Sequence, residues 1–484
     1  MPVNAGYGSI AAAAAAAAPR RPEDAESAAL LPAEEPSDQR GASSSWQPLT
    51  KEELQGGSAG SLRWAKVRSR LVLLFWLSWL AMLGAAVAIV VVSPRPVAAP
   101  LRWWQTSPFY RLRPALLVDP QPGRRGGVEA VCERLSYIKA LGVGAMILEG
   151  LFHTGQAPDG PVLNDSLVTA PQMQHLLKES GKAGKVVLDL CDLNLTAARP
   201  EAPEVNDTSV SPEKMTTVQY ALKSWLEKGV AGFAICDTDP AYSEETLTEW
   251  RLVLKEFSEG DHDRIVLVKQ TGEFLNSTRS FNGSLVEVMM RSILPPTHHI
   301  LSAEEVAETV EARLQASEGD VWPSWMVGGK PSSGLQKLLL VLIMTLPGTP
   351  ALQYGEEISN TREKQKRLAL FTSLRLAKAR EEALLSGSFT MLSFNASAAA
   401  NSTLRPPVLG FLRSWGCSQF LVVLNIGPDP HHLDPHWARS LPGAGVFVTS
   451  TGLDRVGSVS LYASLTLRPQ EAIVIKLIEA KSYS

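Results

Sequence analysis

Apolar residues along this chain follow three successive patterns. The first is one unbroken run, Leu71 to Val92 (LVLLFWLSWLAMLGAAVAIVVV), with no charged residue. At helical rise it extends roughly 33 Å, enough for a hydrocarbon core of about 30 Å. It is too long, and preceded by too much chain, for a cleaved secretory leader. The pattern predicts a transmembrane helix over 71–92. Residues 1–70 read as a disordered cytosolic tail, a Pro, Glu, Ser and Gly mixture with an Ala11–Ala18 run too short to hold a helix in water. Pro94, Pro96 and Pro100 stiffen an extracellular neck, 93–109. The second pattern alternates short apolar runs with amphipathic stretches. Helices are expected at Val131–Leu141, Pro171–Lys182, Val218–Lys228 and Leu247–Ser258, and strands at Ala145–Leu148, Val186–Leu190, Gly232–Cys236 and Ile265–Lys269. Such alternation predicts a parallel sheet closed by helices, an α/β fold of the (β/α)8 TIM-barrel type over 110–377. The third pattern, 387–480, is a series of short strands with turn residues between them: Val408–Arg413, Phe420–Asn425, Val446–Ser450, Ser458–Leu465 and Ala472–Leu477. It predicts a small C-terminal antiparallel β-sandwich domain.

Charge sets the orientation of the span. Arg63, Lys66, Arg68 and Arg70 crowd its N-terminal side, while Arg95 stands alone on the other. That bias keeps the N-terminus in the cytosol, a single-pass type II topology with the bulk of the chain outside. The glycosylation sequons agree: Asn164, Asn206, Asn276, Asn282, Asn395 and Asn401 all follow the span, and none precedes it. Asn194 also begins a sequon but directly follows an apolar run. Along the span, Ser78, Ala81, Gly84, Ala85 and Ala88 form a small-residue stripe, the kind of face against which a second membrane helix packs closely.

Composition narrows the function. With Lys+Arg 46 against Asp+Glu 49, the 484-residue chain has a formal net charge of −3, and no nucleic-acid partner is expected. Four cysteines exclude a disulfide-built scaffold. Cys132, Cys191 and Cys236 lie in or beside apolar barrel segments and are expected to pack as free thiols, although an oxidising compartment permits a bridge. Cys417 falls at a hairpin turn. His431, His432 and His436 lie between prolines with no regular element to set ligand geometry, so a solvated loop is expected and no metal or cofactor.

Particular segments carry a resemblance. Leu346-Pro347-Gly348-Thr349-Pro350, followed by Tyr354-Gly355-Glu356-Glu357-Ile358, resembles the eighth barrel strand and following loop of the α-amylase glycoside hydrolase superfamily. Lys185–Leu190 resembles its third strand and Gly229–Phe233 its fourth. A closer resemblance runs from about Thr50 onward. Lys51–Leu54 (KEEL), Phe75–Gly84 (FWLSWLAMLG), Trp103-Trp104 and Phe420–Gly427 (FLVVLNIG) are similar to the 4F2 cell-surface antigen heavy-chain family, the type II ancillary subunits of heteromeric amino-acid transporters. That resemblance implies an amylase-like ectodomain without catalysis, on a heavy chain that escorts a multi-span light chain to the plasma membrane and stabilises it there. It also implies the lipid bilayer and an integrin as further partners.

The same resemblance locates the positions where glycosidase chemistry would sit. A retaining glycosidase needs two carboxyl groups roughly 5–5.5 Å apart. In the amylase pattern the nucleophile is an Asp three positions after the Gly-Phe of strand four, with an Arg two positions before it. Here those positions are Cys236 and Ala234, and Asp237 comes one residue late, facing the other way along a strand. The acid at the end of strand five should be Glu; Lys269-Gln270-Thr271 stands there, and Glu273 a few residues on reads as a surface-loop carboxylate. The third carboxylate should lie near Trp322–Val327, which holds neither His nor Asp. No catalytic residue is therefore expected. The family's neck cysteine, which bridges to the light chain, would fall near Pro96 and is absent, so a heterodimer without that disulfide is expected. A membrane-anchored α-glucosidase and an adhesion or receptor-modulating glycoprotein stand as the alternative functions on sequence alone.

Overall fold

In the computed structural model, the described residues are 61–92 and 100–478, less 118–126, 154, 157–160, 182–183, 192, 195–216, 240–241, 259–262, 271–284, 295–301, 316–320, 330, 355–361, 393–406, 434–439 and 462. The tail before Ser61 lies outside them. The chain divides into two compact units, 1–94 and 95–484.

The first unit contributes α1, Ser61–Val92. It begins ten residues ahead of the apolar run, because nothing between Ser61 and Arg70 breaks a helix: the stretch has neither Gly nor Pro. Within it, Lys66–Ile89 is long and apolar enough to cross a membrane, with mean hydropathy 2.3. Its described side chains are all exposed, including Leu71, Phe75, Trp76, Trp79 and Leu80. An apolar rod with its backbone bonded internally and its described side chains exposed suits hydrocarbon.

The second unit holds the barrel. Its strands are β1 (Phe109–Leu112), β2 (Ala145–Leu148), β3 (Lys185–Asp189), β4 (Gly232–Cys236), β5 (Ile265–Lys269), β6 (Val288–Ser292), β7 (Trp322–Met326) and β8 (Thr349–Gln353). Each pairs in parallel with the next and β8 pairs with β1, closing the ring. The strands are short continuous apolar runs because both faces are buried. Phe109, Ile147, Val187, Ala234, Leu267, Met290 and Ala351 point inward to one cluster, while alternate residues such as Tyr110, Met146, Leu188 and Phe233 face the helical shell. The expected helices form as α3 (Val128–Leu141), α4 (Ala170–Ser180), α5 (Thr217–Glu227) and α6 (Glu244–Glu256). Gly348 enters β8 at φ +103°, and a Cβ there would meet the Pro323 carbonyl oxygen at 2.2 Å, so only glycine fits.

Part of the expected neck belongs to the barrel. Trp103–Thr106 is the short helix α2; Trp104 is buried in the inward-facing cluster, and its carbonyl oxygen accepts from Thr349 Oγ1 at 2.8 Å. The barrel thus closes its floor with residues that precede its first strand.

After α7 (Ala303–Gln315), α8 (Ser333–Thr345) and α9 (Arg362–Arg380) comes the antiparallel domain, a six-stranded sheet. Its strands are β9 (Ser388–Leu392), β10 (Val408–Trp415), β11 (Ser418–Asn425), β12 (Ala444–Ser450), β13 (Ser458–Ser460) and β14 (Ala472–Ile478), in the order β9-β10-β11-β14-β12-β13. Alternation assigns the faces: Phe420, Val422 and Leu424 join the barrel's outer core, while Leu421, Val423, Ile473 and Ile475 face a smaller cluster. That second layer includes the pair His431–Leu433 and Leu465–Leu467. His431 and His432 are therefore in a strand rather than a solvated loop, with His432 Nδ1 2.9 Å from Thr466 Oγ1. His436 lies outside the described residues, and among those described no group of three potential metal ligands occurs. The run Ser458–Leu465 forms two short strands instead of one.

Candidate functional site

The strand ends at the C-terminal face of a barrel converge on one mouth. Here they enclose a cavity of about 420 Å³ lined by Arg111 and Arg113 from β1 and its exit, Glu149 after β2, Asp189 and Cys191 from the end of β3, Cys236, Lys269 and Met326. Arg111, Asp189, Cys236, Lys269 and Met326 are the last inward-facing positions within their strands, and the two-residue period turns these side chains toward the mouth.

Three elements meet on Lys269. Its Nζ donates to Asp189 Oδ2 at 2.7 Å and lies 3.4 Å from Glu149 Oε1. Arg111 Nε donates to the same Glu149 oxygen at 2.7 Å, and Arg113 reaches Glu149 Oε2 at 3.5 Å. Glu149 and Asp189 are nearly fully buried, whereas Arg113 is half exposed. Burial raises the Glu149 carboxyl, but the Arg111 and Lys269 charges and the Arg111 hydrogen bond together bring it below its ordinary range. At Asp189 burial prevails over the Lys269 charge, and its pKa stands above the usual value. Sequence reading had no reason to join these residues, which come from four strands. The available signal was alternation: Arg111, Glu149, Asp189 and Lys269 each continue the inward register of an apolar strand.

The amylase-type positions resolve as follows. Cys236 does face the mouth, but it is bonded to Cys191, with Cα atoms 5.1 Å apart. This corrects the expectation of free thiols at both positions. The cause is register. β3 and β4 pair Val187 with Gly232 and Asp189 with Ala234, an offset of 45 residues, and the two cysteines are separated by 45. They therefore sit at the same level of neighbouring strands. Cys132 and Cys417 are free, the latter exposed at the β10–β11 turn. Ala234, at the arginine position, is buried in the inward cluster. Lys269 occupies the strand-five end where a general acid would stand. Asp237 lies outside the cavity lining, and its N–H donates to the Lys269 carbonyl. Glu273 lies outside the described residues.

Of the six candidate glycosylation asparagines, Asn164 is described, half-buried in a turn where its Oδ1 accepts from Ser166 N (3.1 Å) and Ser166 Oγ (2.6 Å), the hydroxyl residue of its own sequon. Asn206, Asn276, Asn282, Asn395 and Asn401 lie outside the described residues. Ser78, Ala81, Gly84, Ala85 and Ala88 are all exposed on α1, and a Cβ at Gly84 would meet nothing within 4 Å.

Comparison with known proteins separates sequence kinship from fold kinship. A family model described as the Solute carrier family 3 member 2 N-terminus matches residues 36–110. The amino acid transporter heavy chain SLC3A2 of Oryctolagus cuniculus is 27% identical over 93% of this chain and 92% of that one. That of Rattus norvegicus is 30% identical over 64% of this chain and 59% of that one. Similarity extends to an enzyme, maltase A2 of Drosophila melanogaster, 22% identical over 57% of this chain and 70% of that one. Among solved structures, an alpha-amylase from Geobacillus thermoleovorans complexed with acarbose superposes with TM-score 0.55 at 15% identity, covering 79% of this chain and all of that one. The chain is thus a sequence relative of the amino acid transporter heavy chains, built on an amylase-like barrel and carrying one candidate membrane helix.

Proposed function

We propose that this protein is the non-catalytic heavy-chain subunit of a heteromeric amino-acid transporter. It escorts a multi-span light chain to the plasma membrane, stabilises it there and so supports amino-acid exchange. The observation that carries the reading is at the mouth: Cys236, at the nucleophile position, is held in a bond to Cys191, and Lys269, at the acid position, is engaged by two carboxylates. A sulfur in a disulfide is no nucleophile, and an ammonium cannot replace a carboxylic acid at that point of the reaction. The span itself supplies no polar route for an amino acid, so transport falls to the partner.

On this reading the protein is single-pass type II with a cytosolic N-terminus and glycans on the outer sequons, and an integrin is a further partner at the same surface. Light-chain contact uses the stripe Ser78, Ala81, Gly84, Ala85 and Ala88, and with no neck cysteine the heterodimer is non-covalent. The test is co-expression with candidate light chains, scored by surface delivery and amino-acid uptake. Delivery rises with the wild type and falls when Ala81 and Ala85 are replaced by Leu. No rise with any light chain rejects the heavy-chain role. A high-mass band that reductant collapses rejects the non-covalent complex.

One observation favours a second reading, a membrane-anchored α-glucosidase: Glu149 and Asp189 are two carboxyls at the mouth with pKa values displaced in opposite senses, as paired acid and base groups are. Maltose cleavage by the full chain, lost on Asp189→Asn, would establish it.

A further inference from the structure

The opposite end of the barrel holds a second cavity, about 500 Å³, that the functional reading above does not use. It lies beside the floor, between the Arg102–Gln105 turn, the end of α6 (Arg251, Leu254, Lys255, Ser258), the lead into β5 (Asp263, Arg264) and the lead into β6 (Val286, Glu287). Among the described residues its charges do not balance. Arg102 pairs with Asp263, and Arg251 pairs with Glu287. Trp103 Nε1 donates to the Asp263 carbonyl at 3.0 Å and fixes that wall. Lys255 and Arg264 have no ion-pair partner among the described residues, which leaves two positive charges over.

Arg264 is the unusual one. It is half-buried, and its Nε is sealed from solvent with no acceptor among the described residues. Burial alone depresses its pKa. A desolvated guanidinium without an acceptor is costly, and interiors rarely leave one so. The carbonyls at the end of α6 are already engaged: Leu254 O takes Phe257 N and Ser258 Oγ, and Lys255 O takes Ser258 N. A planar guanidinium beside a lysine, facing a polar cavity of this size, has the fork geometry and charge for a tetrahedral oxyanion.

We propose that this floor cavity binds a phosphate-type oxyanion, with the two Nη groups of Arg264 as the paired donors and Lys255 as the second cation. The anion is either free inorganic phosphate or the phosphomonoester of a lipid headgroup, since both present the same oxygens. The proposal does not depend on the heavy-chain reading.

The test uses the full chain. In lipid-free detergent it is titrated with inorganic phosphate at constant ionic strength, read by calorimetry. In a second arm it is placed in phosphatidylcholine nanodiscs with or without phosphatidic acid, and headgroup contact is read by 31P line broadening. Wild type is expected to show saturable millimolar binding in at least one arm, weakened about tenfold by Arg264→Gln and a few-fold by Lys255→Gln. Phosphate binding without headgroup broadening assigns a free anion, and broadening that phosphate does not reproduce assigns a lipid. No binding in either arm, or binding that Arg264→Gln leaves unchanged, overturns the proposal. If Arg264→Gln fails to fold, the exposed Lys255 decides: unchanged binding in Lys255→Gln overturns it equally.

Discussion

The barrel mouth and the junction with the β-domain both bury positive charge, and they neutralise it by different means. At the mouth, Lys269 meets two carboxylates and Arg111 shares one of them. At the junction, Lys378 of α9 is fully buried and donates to the carbonyls of Leu346 (3.2 Å) and Gly348 (2.8 Å). Arg413 of β10 donates there to Thr345 O and Gly387 O, both at 3.0 Å. The carbonyls of Thr345, Leu346 and Gly348 lie at and just beyond the C-terminus of the helix Ser333–Thr345, where peptide oxygens carry the negative end of the macrodipole; Gly387 O comes from the turn before β9. One site therefore balances charge with charge, and the other with oriented dipoles. The junction needs only rigidity, and dipoles supply it. The mouth instead holds a charged lattice around an open cavity.

The largest expected effect separates these two modes. Lys269→Met leaves Glu149 and Asp189 buried together without their shared cation and should destabilise the chain by about 3–5 kcal/mol. Lys378→Met removes a desolvated charge and leaves two carbonyls short of a donor, for about 1–2 kcal/mol. Unfolding of the full chain in detergent, followed by tryptophan fluorescence, compares them, and equal losses would erase the distinction. Next in size is the disulfide. Replacing Cys191 and Cys236 by Ser releases a closed loop of 45 residues, which chain entropy puts at about 4 kcal/mol or less. An unchanged midpoint would mean the bond contributes nothing to stability.

The smallest effect is in pH. Burial, then the nearby Arg413 charge, holds Lys378 well below 10.5. A depressed ammonium binds fewer protons folded than unfolded. Its contribution is therefore complete above 10.5 and is lost as pH falls toward the folded value. In that window stability should rise with pH by at most about 1.4 kcal/mol per unit. The rise should be smaller in Lys378→Met, and an identical pH profile in both proteins would place the titration elsewhere.

Much of this architecture was readable in the chain. β2, β4 and β5 fall where their apolar runs fall, because a strand buried on both faces has few alternatives. α3 to α6 end within about two residues of expectation, within the usual scatter of helix boundaries. What the sequence hid depends on register between strands. Cys191 and Cys236 look like two buried apolar cysteines until the 45-residue offset between β3 and β4 is known. Glu149 and Asp189 are opposite one another for the same reason, at the 40-residue offset of β2 and β3. Offsets arise from the tilt of strands in a closed ring, which no single segment records. His431 was hidden differently: a three-residue strand between turns offers too few positions for alternation to be seen.

The buried Trp104 has a practical consequence for anyone shortening this protein. Truncation at Ser107 would preserve every barrel strand and still wet the hydrophobic interior, because the inward-facing cluster that holds Phe109, Ala145 and Ala351 would lose its Trp104 indole. A soluble version should begin upstream of Arg102, so that the tether to the membrane retains the residues that seal the domain it carries.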